Sequence, residues 1–160
     1  MSSVLSCKTS SPEETFQLGA RLASQLRRGD LVLLTGSLGA GKTCLARGIA
    51  SAMNLRGHVS SPTFTLLHLH EPLDPQGIPL HHFDVYRLEK ASDFLENGLD
   101  EYTGGQAITL IEWGDRVRSV LTDPAIEIRI ESDPQIPEGR LFTFFLPPGR
   151  VIDLEEACCP

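Results

Sequence analysis

Three features predict an α/β fold built around a phosphate-binding loop. The first is Gly36-Ser37-Leu38-Gly39-Ala40-Gly41-Lys42-Thr43, which fits G-x-x-x-x-G-K-[ST]. The second is its setting. The apolar run Leu31-Val32-Leu33-Leu34 precedes it and a helix-compatible run from Cys44 to Ala50 follows, so strand, glycine-rich turn and helix stand in order. The third is another apolar run, Ala107 to Ile111, ending in Glu112 and Trp113, as a Walker-B-type strand does. By average residue usage the bare loop pattern arises by chance in roughly one chain in two hundred of this length, and the flanking strand and helix make chance rarer.

The loop residues suit a polyphosphate. Inward-turned backbone N–H groups bind phosphate oxygens, and a helix N-terminus adds a favourable dipole. Gly36, Gly39 and Gly41 let the backbone approach closely, while Ser37, Leu38 and Ala40 fill the variable positions. Lys42 supplies a point charge for the β- and γ-phosphates. Thr43 supplies a hydroxyl for Mg²⁺, which prefers oxygen ligands.

The chain has 160 residues, enough for one domain with a core, read as 1–160 with residues 1–8 and 153–160 frayed. Its net charge of −7, spread with both signs, argues against a surface that wraps DNA or RNA. No apolar run is long enough to span a membrane and no leader pattern opens the chain, so the expectation is a cytoplasmic protein. The four cysteines, Cys7, Cys44, Cys158 and Cys159, lack zinc-ligand spacing and fit a reducing compartment. Cys44 is expected on the helix side packed against the sheet.

In chain order, Ser11-Pro12-Glu13-Glu14 reads as a helix start with a capping-box partner at Glu14. Phe16, Ala20, Ala23 and Leu26 then recur at helical spacing, and the helix is expected to end near Arg28-Gly29-Asp30. Strand Leu31 to Thr35, the loop, and a helix to about Asn54 follow, with Leu45, Ile49 and Met53 as the buried stripe. His58 to Thr65 is dense in hydroxyls, and Pro62 keeps Ser61 out of a helix. It reads either as a strand entry or as a mobile loop whose Thr63 approaches the γ-phosphate or Mg²⁺.

Phe64 to His70 and Ile78 to Tyr86 read as strands joined by the turn Glu71 to Gly77, an antiparallel hairpin. Asp84, at the end of the second, is either a Mg²⁺-side carboxylate or an exposed strand acid. His82 alone reads as a packed or surface histidine. Lys90 to Asn97 reads as a short helix stopped by Gly98. Glu112 is long enough to reach Mg²⁺ through water. Gly114 to Arg118 leads into another short helix. Ile126, Ile128 and Ile130 alternate with charges, and with Leu141 to Leu146 they form a second hairpin.

These blocks together resemble the TsaE (YjeE) family, small ATPases of bacterial threonylcarbamoyladenosine synthesis. The matching residues are Gly36–Thr43 with Leu45 to Gly48, Ser61-Pro62-Thr63-Phe64-Thr65-Leu66, His82-Phe83-Asp84-Val85-Tyr86-Arg87-Leu88, and Leu110-Ile111-Glu112-Trp113. The resemblance covers about residues 9 to 131. It implies a P-loop fold with a parallel core sheet, antiparallel strands on both sides and helices on both faces. It implies ATP and Mg²⁺ as cofactors, slow hydrolysis, and work with TsaD and TsaB, which modify the adenosine beside the anticodon; tRNA is then met through those partners. The implied roles are Lys42 on phosphate, Thr43 and Glu112 around Mg²⁺, Asp84 near the active centre, and Trp113 at the site or a partner. Two departures stand out. Ser37 occupies a place where the family usually has Asp, and Gly114 follows Trp113 where Pro is usual, which should loosen that loop.

The leading reading is an ATPase with water as nucleophile and Asp84, Thr63 or Glu112 positioning it. A small-molecule kinase would need an arginine-rich lid, for which Arg116 and Arg118 are the only close pair after Glu112. A nucleotide-sensing module without turnover keeps every phosphate contact and stays open. No Asn-Lys-x-Asp segment supports a GTPase.

Overall fold

The structure is a computed structural model that describes residues 2–57 and 66–155. The segment holding Thr63, the expected start of a strand at Phe64, and Cys158-Cys159 lie outside the described residues. Seven strands form one sheet: β1 (Ser3–Thr9), β2 (Leu31–Thr35), β3 (Leu67–His70), β4 (Leu80–Asp84), β5 (Ile108–Glu112), β6 (Ile126–Ser132) and β7 (Arg140–Leu146). Their order is β1-β7-β6-β2-β5-β4-β3. Strands β6, β2, β5 and β4 run parallel; β7 and β1 add antiparallel on one side and β3 on the other. This is the predicted P-loop architecture.

At the centre of the sheet β2 and β5 are buried on both faces, so they are nearly continuous apolar runs, whereas β6 alternates Ile with charged residues. Within β2, Val32 and Leu34 face one core layer with Leu110, Ile128 and Phe144, while Leu31 and Leu33 face the other with Phe83, Ile111 and Phe94. The first layer is covered by helices α1 (Pro12–Ala23) and α2 (Lys42–Ser51). The second is covered by the short helix α3 (Ser92–Glu96) and the 3₁₀ turns Leu99–Tyr102, Gly114–Arg116 and Arg118–Val120. The helix stop expected at Gly98 is observed, with φ 69°.

Helix α1 begins as expected. Ser11 Oγ accepts the Glu14 N–H at 3.2 Å, and the Glu14 carboxylate accepts the Ser10 N–H at 2.6 Å. It ends earlier than predicted, at Ala23. There the Gln25 and Leu26 N–H groups fold back on the Leu22 and Ala23 carbonyls, and Asp30 captures the Arg27 N–H at 2.7 Å to make a separate turn. Its buried face is Thr15, Leu18, Gly19 and Leu22, rotated from the expected Phe16-Ala20-Ala23 stripe. The rotation follows from the crossing with α2. Gly19 and Gly48 meet there so closely that a Cβ on Gly48 would strike the Phe16 carbonyl. Cys44 likewise turns toward α1, donating to the Pro12 carbonyl at 3.2 Å, rather than facing the sheet.

The described residues near both ends are more ordered than the sequence suggested. Residues 3–9 are not frayed: they pair with the full length of β7, from Ser3 opposite Leu146 to Thr9 opposite Arg140. Leu5 and Cys7 alternate inward onto the first core layer, leaving Val4 exposed. Near the other end Ile152 is buried and Leu154 packs beside it. Gln25 clasps the Asp153 backbone through both its amide oxygen (2.7 Å) and nitrogen (2.9 Å).

Candidate functional site

The phosphate loop leaves the C-terminal edge of β2 and enters α2 at Gly41. Gly41 is the residue before the helix, at φ 112° and ψ 12°, where a side chain would be strained. Gly36 is constrained by space as well: a Cβ there would come 2.5 Å from the Ile130 carbonyl. Thus the loop lies flat against the sheet edge at its first glycine and turns sharply at its last.

Lys42 is 5% exposed. Its Nζ donates to the Gly36 and Ser37 carbonyls at 2.7 and 2.8 Å and sits 3.7 Å from the Trp113 ring centroid. Burial pushes the ammonium below its ordinary value, against the opposing pull of Glu112, Asp115 and Asp84. Its contacts are ones that phosphate oxygens would replace with stronger, charged acceptors.

Three polar side chains meet at the ends of β4 and β5. Parallel register sets Asp84 opposite Glu112 and His82 opposite Leu110. Residues two apart on a strand share a face, so His82 and Asp84 both point to the α2 side. The Glu112 carboxylate, 1% exposed, accepts the Thr43 hydroxyl at 2.6 Å on one oxygen and the His82 Nε2–H at 2.7 Å on the other. Because Thr43 gives its proton to Glu112, its oxygen keeps lone pairs for a cation. Asp84 is half-buried and accepts the Tyr86 N–H at 3.1 Å. Burial pushes its carboxyl above the ordinary value and Glu112 adds to this, while the Tyr86 N–H, His82 and Lys42 oppose it.

This donor set fits Mg²⁺ carried by a polyphosphate. The donors are oxygens, as that ion demands, and they are few. Among the described residues no group of three or more His, Cys, Asp or Glu side chains could hold a metal ion alone. A cation at Thr43 would therefore depend on ligand oxygens to complete its shell.

Trp113 adopts left-handed φ 63° and ψ 37° without being glycine, a conformation that costs on the order of 1–3 kcal/mol. It is held there by Lys42 on its ring and by Tyr86, whose ring centroid lies 4.8 Å away. Gly114 makes the third contact. It is buried against Leu33, whose Cβ would lie 2.6 Å from any Cβ added there, so the glycine seats the turn closely on β2 rather than loosening it. Around these groups lies a cleft of about 880 Å³, bounded by the loop, Phe16, Arg47, Asp84, Tyr86, Glu112 and Trp113.

The structure thus brings together Lys42, Thr43, Asp84, Glu112 and Trp113 with the loop Gly36–Thr43. Ser37 is exposed on that loop. Arg116 and Arg118 do not act as a pair: Arg116 lies 5.0 Å from the Tyr86 ring centroid, whereas Arg118 is bound to Glu127 at 2.7 Å. The sequence reading missed His82. The signal was its spacing of two from Asp84, which puts both on one strand face.

A family model described as threonylcarbamoyl adenosine biosynthesis protein TsaE matches residues 9–140. The chain belongs to the TsaE family. Among its TsaE relatives, the Mycobacterium tuberculosis protein named tRNA threonylcarbamoyladenosine biosynthesis protein TsaE is 43% identical over 124 residues, 74% of each chain. The Streptomyces coelicolor protein of the same name is 42% identical over 115 residues, 72% of this chain and 77% of that one. The crystal structure of Bacillus subtilis YdiB superposes with a TM-score of 0.72 at 31% identity, covering 91% of this chain and 87% of that one. The TsaE match spans the phosphate loop, β4, β5 and the whole cleft, so the assembled site lies inside the shared region. Among the described residues no helix is long and apolar enough to cross a membrane.

Proposed function

We propose that this chain binds ATP with Mg²⁺ and hydrolyses it slowly, as a subunit that acts with TsaD and TsaB in placing the threonylcarbamoyl group on tRNA. The single observation that carries the nucleotide reading is the Thr43–Glu112 contact: a loop hydroxyl and a buried strand-end carboxylate joined at 2.6 Å beside a phosphate-loop lysine. The tRNA reading rests on family membership and on the names of the relatives. The negative net charge suits a protein that works on protein partners which themselves hold the tRNA.

In this reading the backbone N–H groups of the loop and the N-terminus of α2 cradle the β- and γ-phosphates. Lys42 exchanges its two loop carbonyls for phosphate oxygens. Thr43 and Glu112 would hold Mg²⁺, which would supply positive charge beside the phosphate oxygens. Water attacks the γ-phosphorus and ADP leaves. Asp84, at the cleft and with its carboxyl pushed up by burial, is placed to orient that water and take its proton.

The test is phosphate release from ATP by the purified chain, alone and with TsaD and TsaB from the same source. Release that rises with the partners and disappears in Lys42→Ala is expected. ATP binding without release in either condition, with partners shown to assemble, would replace hydrolysis with nucleotide sensing.

A further inference from the structure

Arg140, the first residue of β7, lies a hundred residues from the loop in sequence but against it in space. Its Nε donates to the Ala40 carbonyl at 2.8 Å, its Nη2 to the Gly39 carbonyl at 3.2 Å, and its Nη1 to the carbonyl of its own neighbour, Gly139, at 2.8 Å. The fork is therefore anchored at its base and spread across two successive loop peptides. Its Cγ and Nε would each lie 3.9 Å from a Cβ on Gly41.

The orientation of those peptides matters. In a trans peptide the C=O and N–H point in opposite directions. The Gly39–Ala40 peptide is fixed at both ends, since the Ala40 N–H donates to the Ser37 carbonyl at 3.1 Å. The Ala40–Gly41 peptide is held by Arg140 at its carbonyl, while its Gly41 N–H has no backbone partner among the described residues. Arg140 thus turns the Gly41 N–H away from itself and leaves it free for a ligand. Its positive charge on the carbonyl side also polarises that N–H toward an anion. Lys42 holds the carbonyls of the loop's first half, Gly36 and Ser37. Arg140 holds those of the second half.

We infer that Arg140 is a positioning residue for nucleotide phosphate. It acts through the backbone of the loop rather than by touching the ligand, and the inference rests on the nucleotide reading of this site. It also gives the outer antiparallel strands a part in binding, because the arginine is carried by β7 and fixed between Ser132 of β6 and Thr9 of β1.

The test is calorimetric titration of ATP and ADP into wild type, Arg140→Gln and Arg140→Lys as full chains. Unfolding midpoints and the ¹⁵N–¹H resonance of the Gly41 amide are recorded for each. Arg140→Gln is expected to bind both nucleotides roughly tenfold more weakly, the cost of one loop amide no longer held toward the phosphate. Arg140→Lys should fall between, because an ammonium keeps the charge but not the planar fork. The Gly41 resonance should move in both variants before nucleotide is added. Wild-type affinity in both variants would overturn the inference, as would a Gly41 resonance that stays in place. A loss equal in the two variants that merely follows their unfolding midpoints would reassign Arg140 to general support. If wild type itself binds neither nucleotide, the reading of the site fails and this inference with it.

Discussion

His82 Nε2 and Glu112 Oε2 lie 2.7 Å apart with the two side chains 2% and 1% exposed. Thirty residues separate them in sequence, and only the parallel pairing of β4 with β5 joins them. Glu112 is thereby fixed at both oxygens, one by His82 and one by Thr43. Removing His82 strands a buried carboxylate oxygen. His82→Ala is expected to lose about 3 kcal/mol of stability in urea unfolding, on the scale for a broken buried pair. Turnover should fall as well, with His82→Asn recovering part of it through its amide donor. An Ala variant as stable and active as wild type would remove His82 from the site.

Lys42→Ala and Glu112→Gln should separate binding from turnover. Lys42 gives the phosphates their point charge, so its loss is expected to weaken ATP binding or abolish hydrolysis. Glu112→Gln keeps the shape and one acceptor oxygen, turns the other position into an N–H donor, and removes the charge offered to Mg²⁺. Mg²⁺-dependent phosphate release should drop by about a hundredfold or more, a typical cost of one charge-stabilising group. Nucleotide binding measured in EDTA should change little. Equal losses in both assays would assign Glu112 to folding instead.

Asp84 carries a stability cost that can be read against pH. Its folded-state carboxyl is held above its unfolded value, chiefly by burial. A group shifted this way favours the folded state fully below the unfolded value and loses that contribution as pH rises through the raised folded value. At neutral pH its charge is therefore a burden, and Asp84→Asn relieves it while keeping an oxygen for the Tyr86 N–H. The variant is expected to melt higher than wild type at neutral pH. The two melting curves should converge as pH falls below the usual aspartate range. Turnover at neutral pH should fall, the trade expected where a functional group is kept in an unfavourable place. A melting difference that is independent of pH would contradict this.

The α1–α2 crossing depends on two glycines. A Cβ on Gly48 would strike the Phe16 carbonyl, a backbone atom that cannot rotate away. Gly48→Ala is expected to cost about 2–3 kcal/mol by overpacking despite alanine's better helix propensity. Denaturant unfolding with an unchanged slope would measure it. Since Phe16 lies at the cleft, nucleotide affinity should weaken with it.

What the sequence revealed was local. The phosphate loop is a contiguous motif, and β5 announces itself by an apolar run ending in Glu112. Both hairpins were legible from alternation and turn residues. What it hid depends on contacts far apart in the chain. The role of His82 needs the register of β4 on β5. The buried face of α1 was misread because its neighbour is another helix at close range, so small residues such as Gly19 lie inside and Phe16 is left at the rim. Strand β1 was overlooked because Ser3 to Thr9 mixes polar and apolar residues and acquires its order from the edge of β7. Thr63 falls outside the described residues.

That edge pairing has a consequence for how the chain is made. Synthesis runs from the N-terminus, so Ser3–Thr9 leaves the ribosome well ahead of its strand partner Arg140–Leu146. Strand β1 must wait, unpaired, while α1, α2 and the parallel strands are completed behind it. Closing so long a span is slow, and until it closes β7 presents an open edge to other chains. Lys8, which follows the apolar residues of the waiting strand, is the kind of charge that keeps an unpaired strand from joining the wrong molecule.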